Sequence, residues 1–192
     1  MNPDQYRRMI KDMLDDELYR HSLGVAEVAV SLAKHLGIDC CKAEISGLVH
    51  DYGKRYTYHD LIAKAENLGI SLDRITKREG RLLHAPVGAA LLETELKISD
   101  PEIIRAVAFH TTGRSGMTLF EKVVYLADYI EMGRQFEGIE KIREIAYVNI
   151  DLALLAAVDQ AIRSVIERGF MLHPRSVAFR NSLLAVTAAQ II

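Results

Sequence analysis

The chain has 192 residues, 49% of them hydrophobic, enough to bury about two-thirds of its unfolded surface around one core. A formal charge of -2 gives no general attraction to a polyanionic duplex and argues against nucleic acid as a partner. The N-terminus MNPDQYRRMIKDM lacks an apolar signal core, and the apolar tail Leu183 to Ile192 is shorter than the roughly 20 residues of a bilayer span, so a cytoplasmic protein with no membrane partner is expected.

Apolar residues recur at three and four rather than at two, which predicts an all-α, single-domain helical bundle over 1–192. In chain order the helices fall at 3–13, 16–36, 40–52, 58–68, 79–96, 101–111, 118–131, 138–147, 150–168 and 175–190. Asp39, Thr57 and Ser71 are placed as N-caps, Pro101 opens a first turn behind Asp100, and Thr118 with Glu121 forms a capping box. Gly37, Gly69, Gly133 and Gly169 follow periodic runs and can close helices in the left-handed conformation. The segments Thr111 to Gly116 and Met132 to Gly138 are loops on one body, with 16–131 carrying the chemistry and 138–190 forming C-terminal helices. The apolar last helix leaves a homodimer open. Adjacent Cys40 and Cys41 match neither a redox pair nor a zinc site, so one should pack inside and one face outward.

Histidines and aspartates recur within or at the edges of apolar helix faces: His21, His50 with Asp51, His84, His110 and Asp128. An ionised Asp128 inside VVYLADYI carries a heavy desolvation cost unless a cation or a hydrogen-bonded partner sits against it. Imidazoles with carboxylates suit iron, manganese, cobalt, nickel or zinc better than calcium or magnesium, with iron or manganese favoured. Neighbours such as His50 and Asp51 point about 100° apart on a helix, so they converge only at a helix end. There Asp51 can bridge two divalent ions, with His21, His50 and Asp128 completing one and His84 and His110 the other. Such a pair, ~3.5–4 Å apart, activates water and holds phosphoryl oxygens, which points to phosphoester or phosphoanhydride hydrolysis.

Beyond Asp51, Lys54 is a candidate catalytic and substrate-binding cation, and Thr111, Thr112, the Gly113 amide and Arg134 are candidate phosphate donors. His35 falls in a last helical turn, His59 and His173 read as solvent-facing, and Arg74, Lys77, Arg78 and Arg81 as a solvated face.

The pattern resembles the HD superfamily of metal-dependent phosphohydrolases: a histidine (His21), the pair His50-Asp51, and a distant aspartate (Asp128). It is closer still to the bacterial HD-domain symmetrical diadenosine tetraphosphate hydrolases, the YqeK family. The matching stretches are RHSLGVA at 20–26, LVHDYGK at 48–54, LLHAPVGA at 82–89, AFHTTGR at 108–114, LADYIE at 126–131 and HPRSVAFRN at 173–181. The resemblance implies an HD-domain bundle and a di-iron centre on His21, His50, Asp51, His84, His110 and Asp128. It also implies a dinucleoside polyphosphate substrate, cut symmetrically to two ADP by metal-activated water. Arg175, Arg180 and Asn181 become candidate substrate contacts because the pattern reaches them. The chain departs from the family at Gly53, in the HD-x-x-K element, and at Met132, which follows the Glu; neither is expected to touch a ligand. Another HD nucleotidase or phosphodiesterase, or a non-catalytic nucleotide sensor, stays open as an alternative, although the extra His84 and His110 argue against one-metal nucleotidases.

Overall fold

In the computed structural model, which describes residues 2–188, the periodic segments fold into eleven α-helices among the described residues. They are α1 (Pro3–Met13), α2 (Asp16–Leu36), α3 (Cys40–Val49), α4 (Tyr58–Asn67), α5 (Arg74–Arg78), α6 (His84–Leu96), α7 (Pro101–Phe109), α8 (Leu119–Ile130), α9 (Ile139–Ala146), α10 (Ile150–Glu167) and α11 (Pro174–Ala188). Two 3₁₀ turns interrupt them at Tyr52–Arg55 and Gly80–Leu82. The all-α reading holds, and the residues past 188 that it placed in the last helix lie outside the described ones.

The caps explain most starts. The Asp39 carboxylate accepts from Lys42 N–H, Asp100 from Glu102 N–H, and Thr57 and Thr118 close reciprocal boxes with Asp60 and Glu121. Ser71 does not cap. Two residues on, the Asp73 carboxylate accepts from the Ile75 and Thr76 N–H groups and starts the short α5. Gly37, Gly69 and Gly169 take the left-handed conformation, whereas Gly133 does not. The chain leaves α8 through Glu131 with extended geometry, and the Glu131 carboxylate accepts from the Gly133 N–H at 2.6 Å.

Two predicted helices stop short, and both breaks serve the same end of the bundle. The helix expected over 40–52 ends at Val49, with His50 as its right-handed C-cap, and Asp51 departs from helical geometry before the Tyr52–Arg55 turn. The helix expected over 79–96 begins only at His84, because the Gly80–Leu82 turn precedes it. At Gly80 a side chain is sterically blocked: a Cβ there would lie 2.6 Å from the Tyr58 ring.

Helix α2 supplies a buried stripe of Val25, Ala26, Ala29, Leu32 and Ala33, which packs on α3 and α8. Small residues let the backbones touch: a Cβ on Gly47 would come within 2.5 Å of the Ala26 Cα. That close approach brings the start of α2 beside the end of α3. Helix α7 packs on α3, α6 and α8, and α10 lies against α8, α9 and α11. Side chains from α1 to α11 form one continuous apolar cluster. Cys40 and Cys41 are both half-buried against it, rather than one in and one out.

Candidate metal centre and active site

Each candidate ligand owes its position to a helix boundary or to a packed face. His50 sits at the end of α3, His110 at the end of α7 and His84 at the start of α6, while His21 and Asp128 project from inside α2 and α8. All six converge. Asp51 is fully buried at their centre. Its Oδ2 lies 3.4 Å from His21 Nε2 and 3.2 Å from His50 Nε2, and its Oδ1 lies 3.2 Å from His84 Nε2 and 3.3 Å from His110 Nε2. Asp128 Oδ1 closes the first group, at 3.0 Å from His21 Nε2 and 3.7 Å from His50 Nε2.

The other ring nitrogens decide the chemistry of this cluster. Nδ1–H of His50 donates to Gly47 O at 2.8 Å, that of His84 to Arg81 O at 2.7 Å, and that of His110 to Val107 O at 2.7 Å. With those protons committed, the inward Nε2 atoms present lone pairs. His84 and His110 then face each other at 3.1 Å with Asp51 Oδ1 beside them, three acceptors and no hydrogen between them. Asp51 Oδ1 is buried without a hydrogen-bond partner. Orphaned acceptors of this kind are what a cation resolves, so the residues fit divalent metal. Oxygen from one carboxylate faces each of two groups: His21, His50 and Asp128 on one side, His84 and His110 on the other.

Charge follows the same geometry. Burial lowers the pKa of His21, but hydrogen bonds to Asp128 and Asp51 outweigh it and hold the imidazole at about 9. For Asp51, burial favours the neutral acid, and the surrounding His50, His110 and His21 overcome this to keep the carboxyl well below its usual range. Asp128 is likewise held low against burial by His21, His50 and Arg134. Burial pushes His84 down, toward the neutral ring a metal requires.

Two cations stand at the rim. Lys54 Nζ lies 2.6 Å from Asp51 Oδ2, and Arg134 donates to Asp128 Oδ1 at 2.6 Å and to the Asp128 carbonyl at 3.1 Å. Both line an open cleft of about 740 Å³ beside His21, with Leu18, Arg20, Leu23, Glu27 and Met132 among its other walls. The remaining candidates lie elsewhere. Thr111 and Thr112 line a separate cavity of about 70 Å³ with His173 and Ser176. Gly113 is left-handed against Phe179, Arg175 stands over the Phe109 ring, Arg180 is paired with Asp159, and Asn181 is exposed.

Two expectations are corrected, those for His173 and Gly53. His173 is buried and bonded to Asp73 at 3.1 Å, not solvent-facing. Arg81 is exposed along with Arg74, Lys77 and Arg78, and it also stacks on the Phe170 ring, 3.4 Å from its centroid, and pairs with Glu79. Gly53 does touch a ligand residue: a Cβ there would sit 2.3 Å from the His84 carbonyl oxygen. Gly53→Ala should therefore push the Tyr52–Arg55 turn away from α6 at a cost of ~1–3 kcal/mol, read as a lower midpoint in urea. An unchanged midpoint would show that this contact relaxes freely.

Sequence reasoning also missed Glu131, buried behind His21, and Glu95, which accepts from the hydroxyls of Tyr52 and Tyr56 and pairs with Lys64 to pin the turn that carries Lys54. Glu131 carried one legible signal, a carboxylate ending the apolar helix that bears Asp128.

This helical scaffold belongs to the HD domain family, whose pattern matches residues 18–133. Within it, the chain is 35% identical to the symmetrical bis(5'-nucleosyl)-tetraphosphatase of Halalkalibacterium halodurans, over 96% of this chain and 98% of that protein. It is 34% identical to the enzyme of the same description from Bacillus subtilis, over 96% and 99%. A crystal structure from Clostridium acetobutylicum, described as a predicted HD superfamily hydrolase involved in NAD metabolism, superposes with a TM-score of 0.91 at 38% identity, covering 96% of this chain and 98% of that one. Among the described residues, no helix is long and apolar enough to cross a membrane.

Proposed function

We propose that this chain is a metal-dependent hydrolase that cuts diadenosine tetraphosphate in the middle of its phosphate chain and releases two ADP. The observation that carries the reading is Asp51, which offers one buried oxygen to each of two groups of imidazoles, the Oδ1 side lacking any hydrogen to share. His21, His50, Asp51 and Asp128 would hold one divalent ion, and Asp51, His84 and His110 a second. The donor set suits first-row ions, with iron proposed and manganese, cobalt, nickel or zinc as substitutes. Bound there, the ions supply Lewis-acid polarisation of phosphoryl oxygen and a lowered pKa for attacking water.

The chain's own groups do the rest. Lys54 would provide a point charge and Arg134 a planar fork for phosphate oxygens, both lining the cleft. Leu18, Leu23 and Met132 give the cleft apolar wall for a base, and its volume suits a small-molecule ligand. Thr111, Thr112, Gly113, Arg175, Arg180 and Asn181 stay in the substrate proposal through the end of the His110 helix and family resemblance alone. A cytoplasmic setting, a homodimer and no nucleic-acid role complete it. The exposed Ile166, Val177 and Val186 on α10 and α11 support the second, and the charge of -2 supports the third.

Metal-loaded protein incubated with diadenosine tetraphosphate is expected to give ADP alone over many turnovers, read by ion-exchange chromatography. AMP with ATP would mean off-centre cleavage and a different enzyme. Binding without turnover would mean a sensor.

A further inference from the structure

Four imidazoles face the proposed metal centre, and three have their outward nitrogen fixed by main chain: His50 by Gly47 O, His84 by Arg81 O and His110 by Val107 O. Those three sit at helix ends or beside a turn, where carbonyls are left over. His21 lies inside α2, where the carbonyls of the preceding turn serve the helix itself. Its Nδ1 instead meets a side chain, Glu131 Oε1, at 3.2 Å.

The fold makes room for that carboxylate. Glu131 is buried, and its second oxygen accepts from the Gly133 N–H at 2.6 Å. A Cβ on Gly24, one turn after His21 on α2, would lie 2.8 Å from Glu131 Oε2, and one on Gly133 would lie 2.9 Å from Oε1. Two glycines thus form a slot that a carboxylate fills, and Arg143 secures its frame by donating to the carbonyls of Ile130, Glu131 and Arg134.

We infer that Glu131 is the positioning residue of His21: it holds Nδ1 protonated and the ring fixed, so that Nε2 is presented to the ion shared with His50, Asp51 and Asp128. The inference rests on the metal reading above and adds an asymmetry to it. The second group, around His84 and His110, is oriented by main chain, and no single side chain can release it. The first depends on one carboxylate, and partners of this kind strengthen metal binding about 10–100-fold.

The test uses the full chain loaded with zinc, both equivalents titrated by chelator competition and the imidazoles followed by ¹H–¹⁵N correlation spectra. Glu131→Ala is expected to weaken one of the two equivalents about 10–100-fold, leave the other unchanged, and displace the His21 ring signals while those of His84 and His110 stay in place. Glu131→Gln, whose amide oxygen still accepts, should restore most of the affinity. Gly24→Ala guards against a misfolded Glu131→Ala. Its new methyl would lie closest to Glu131, 2.8 Å from Oε2, and alanine is the better helix former, so α2 persists while the carboxylate is displaced. It should weaken the same equivalent. Wild-type protein that takes up no metal overturns the metal reading and this inference together. Wild type and both alanine variants holding two equivalents with equal affinity overturns this inference alone.

Discussion

Asp51→Asn should lower kcat/KM for diadenosine tetraphosphate by at least about 10³-fold, because the ions it would hold supply several kcal/mol of transition-state charge stabilisation. The two oxygens of Asp51 lie within 3.4 Å of all four imidazoles, two on each side. Asparagine keeps the shape and one oxygen, but its NH₂ must point at either the His21–His50 side or the His84–His110 side, a donor where a cation belongs. Asp128→Asn is the informative comparison: Asp128 faces only His21 and His50, so its loss should spare the ion at His84 and His110. Metal content by mass spectrometry would then read about one equivalent for Asp128→Asn and less for Asp51→Asn, with far-ultraviolet circular dichroism unchanged in both. An Asp51→Asn protein retaining two ions and near wild-type turnover would remove the bridging role.

The six converging residues were legible because each sets a polar, ionisable group into an apolar helix pattern, a conflict a folded chain must resolve somewhere. Helix starts were legible for the same local reason, since Asp39, Thr57, Asp100 and Thr118 act on N–H groups two or three residues away. What sequence concealed is longer in range. Gly53 is one of many glycines until the His84 carbonyl arrives against it, and His173 looks exposed until Asp73, a hundred residues earlier, meets its ring. The break before α6 is likewise silent in sequence, although Gly80 there lies so close to the Tyr58 ring that a Cβ would come within 2.6 Å of it. Thr111 to Gly113 follow His110 directly, yet the helix end turns them toward α11, where Ser176 donates to the Thr112 carbonyl, and none of them lines the cleft beside His21. Adjacency in sequence identifies a neighbourhood, not the side of a ligand on which a residue lies.

Removing the metals should lower the melting temperature by about 10–20 °C near pH 8. An ion at 100 times its Kd stabilises the fold by about 2.7 kcal/mol, two give about 5 kcal/mol, and a chain of this size shifts about 2–4 °C per kcal/mol. The size of that gap must depend on pH, in a direction the site dictates. His21 is held at about 9 without metal, so below that pH the ion displaces a proton, and affinity on its side of Asp51 rises about tenfold per unit up to pH 9. On the other side burial already keeps His84 neutral, so no proton has to leave that ring above its ordinary value of 6.5. The metal-free protein moves oppositely. A raised histidine pKa contributes stability that is full below 6.5 and is lost as pH rises through about 9, while Asp51 and Asp128, held low, contribute above the ordinary carboxylate value of 3.8 and stay constant across this window. Both trends express one linkage at His21: the chelated protein loses this contribution as pH climbs from 6.5 to 9 while the loaded protein keeps its ion, so the difference between them widens. Scanning calorimetry at half-unit steps, with manganese and then with EDTA, reads it directly, and a gap that stays flat or narrows over that range would mean that His21 does not bind the ion.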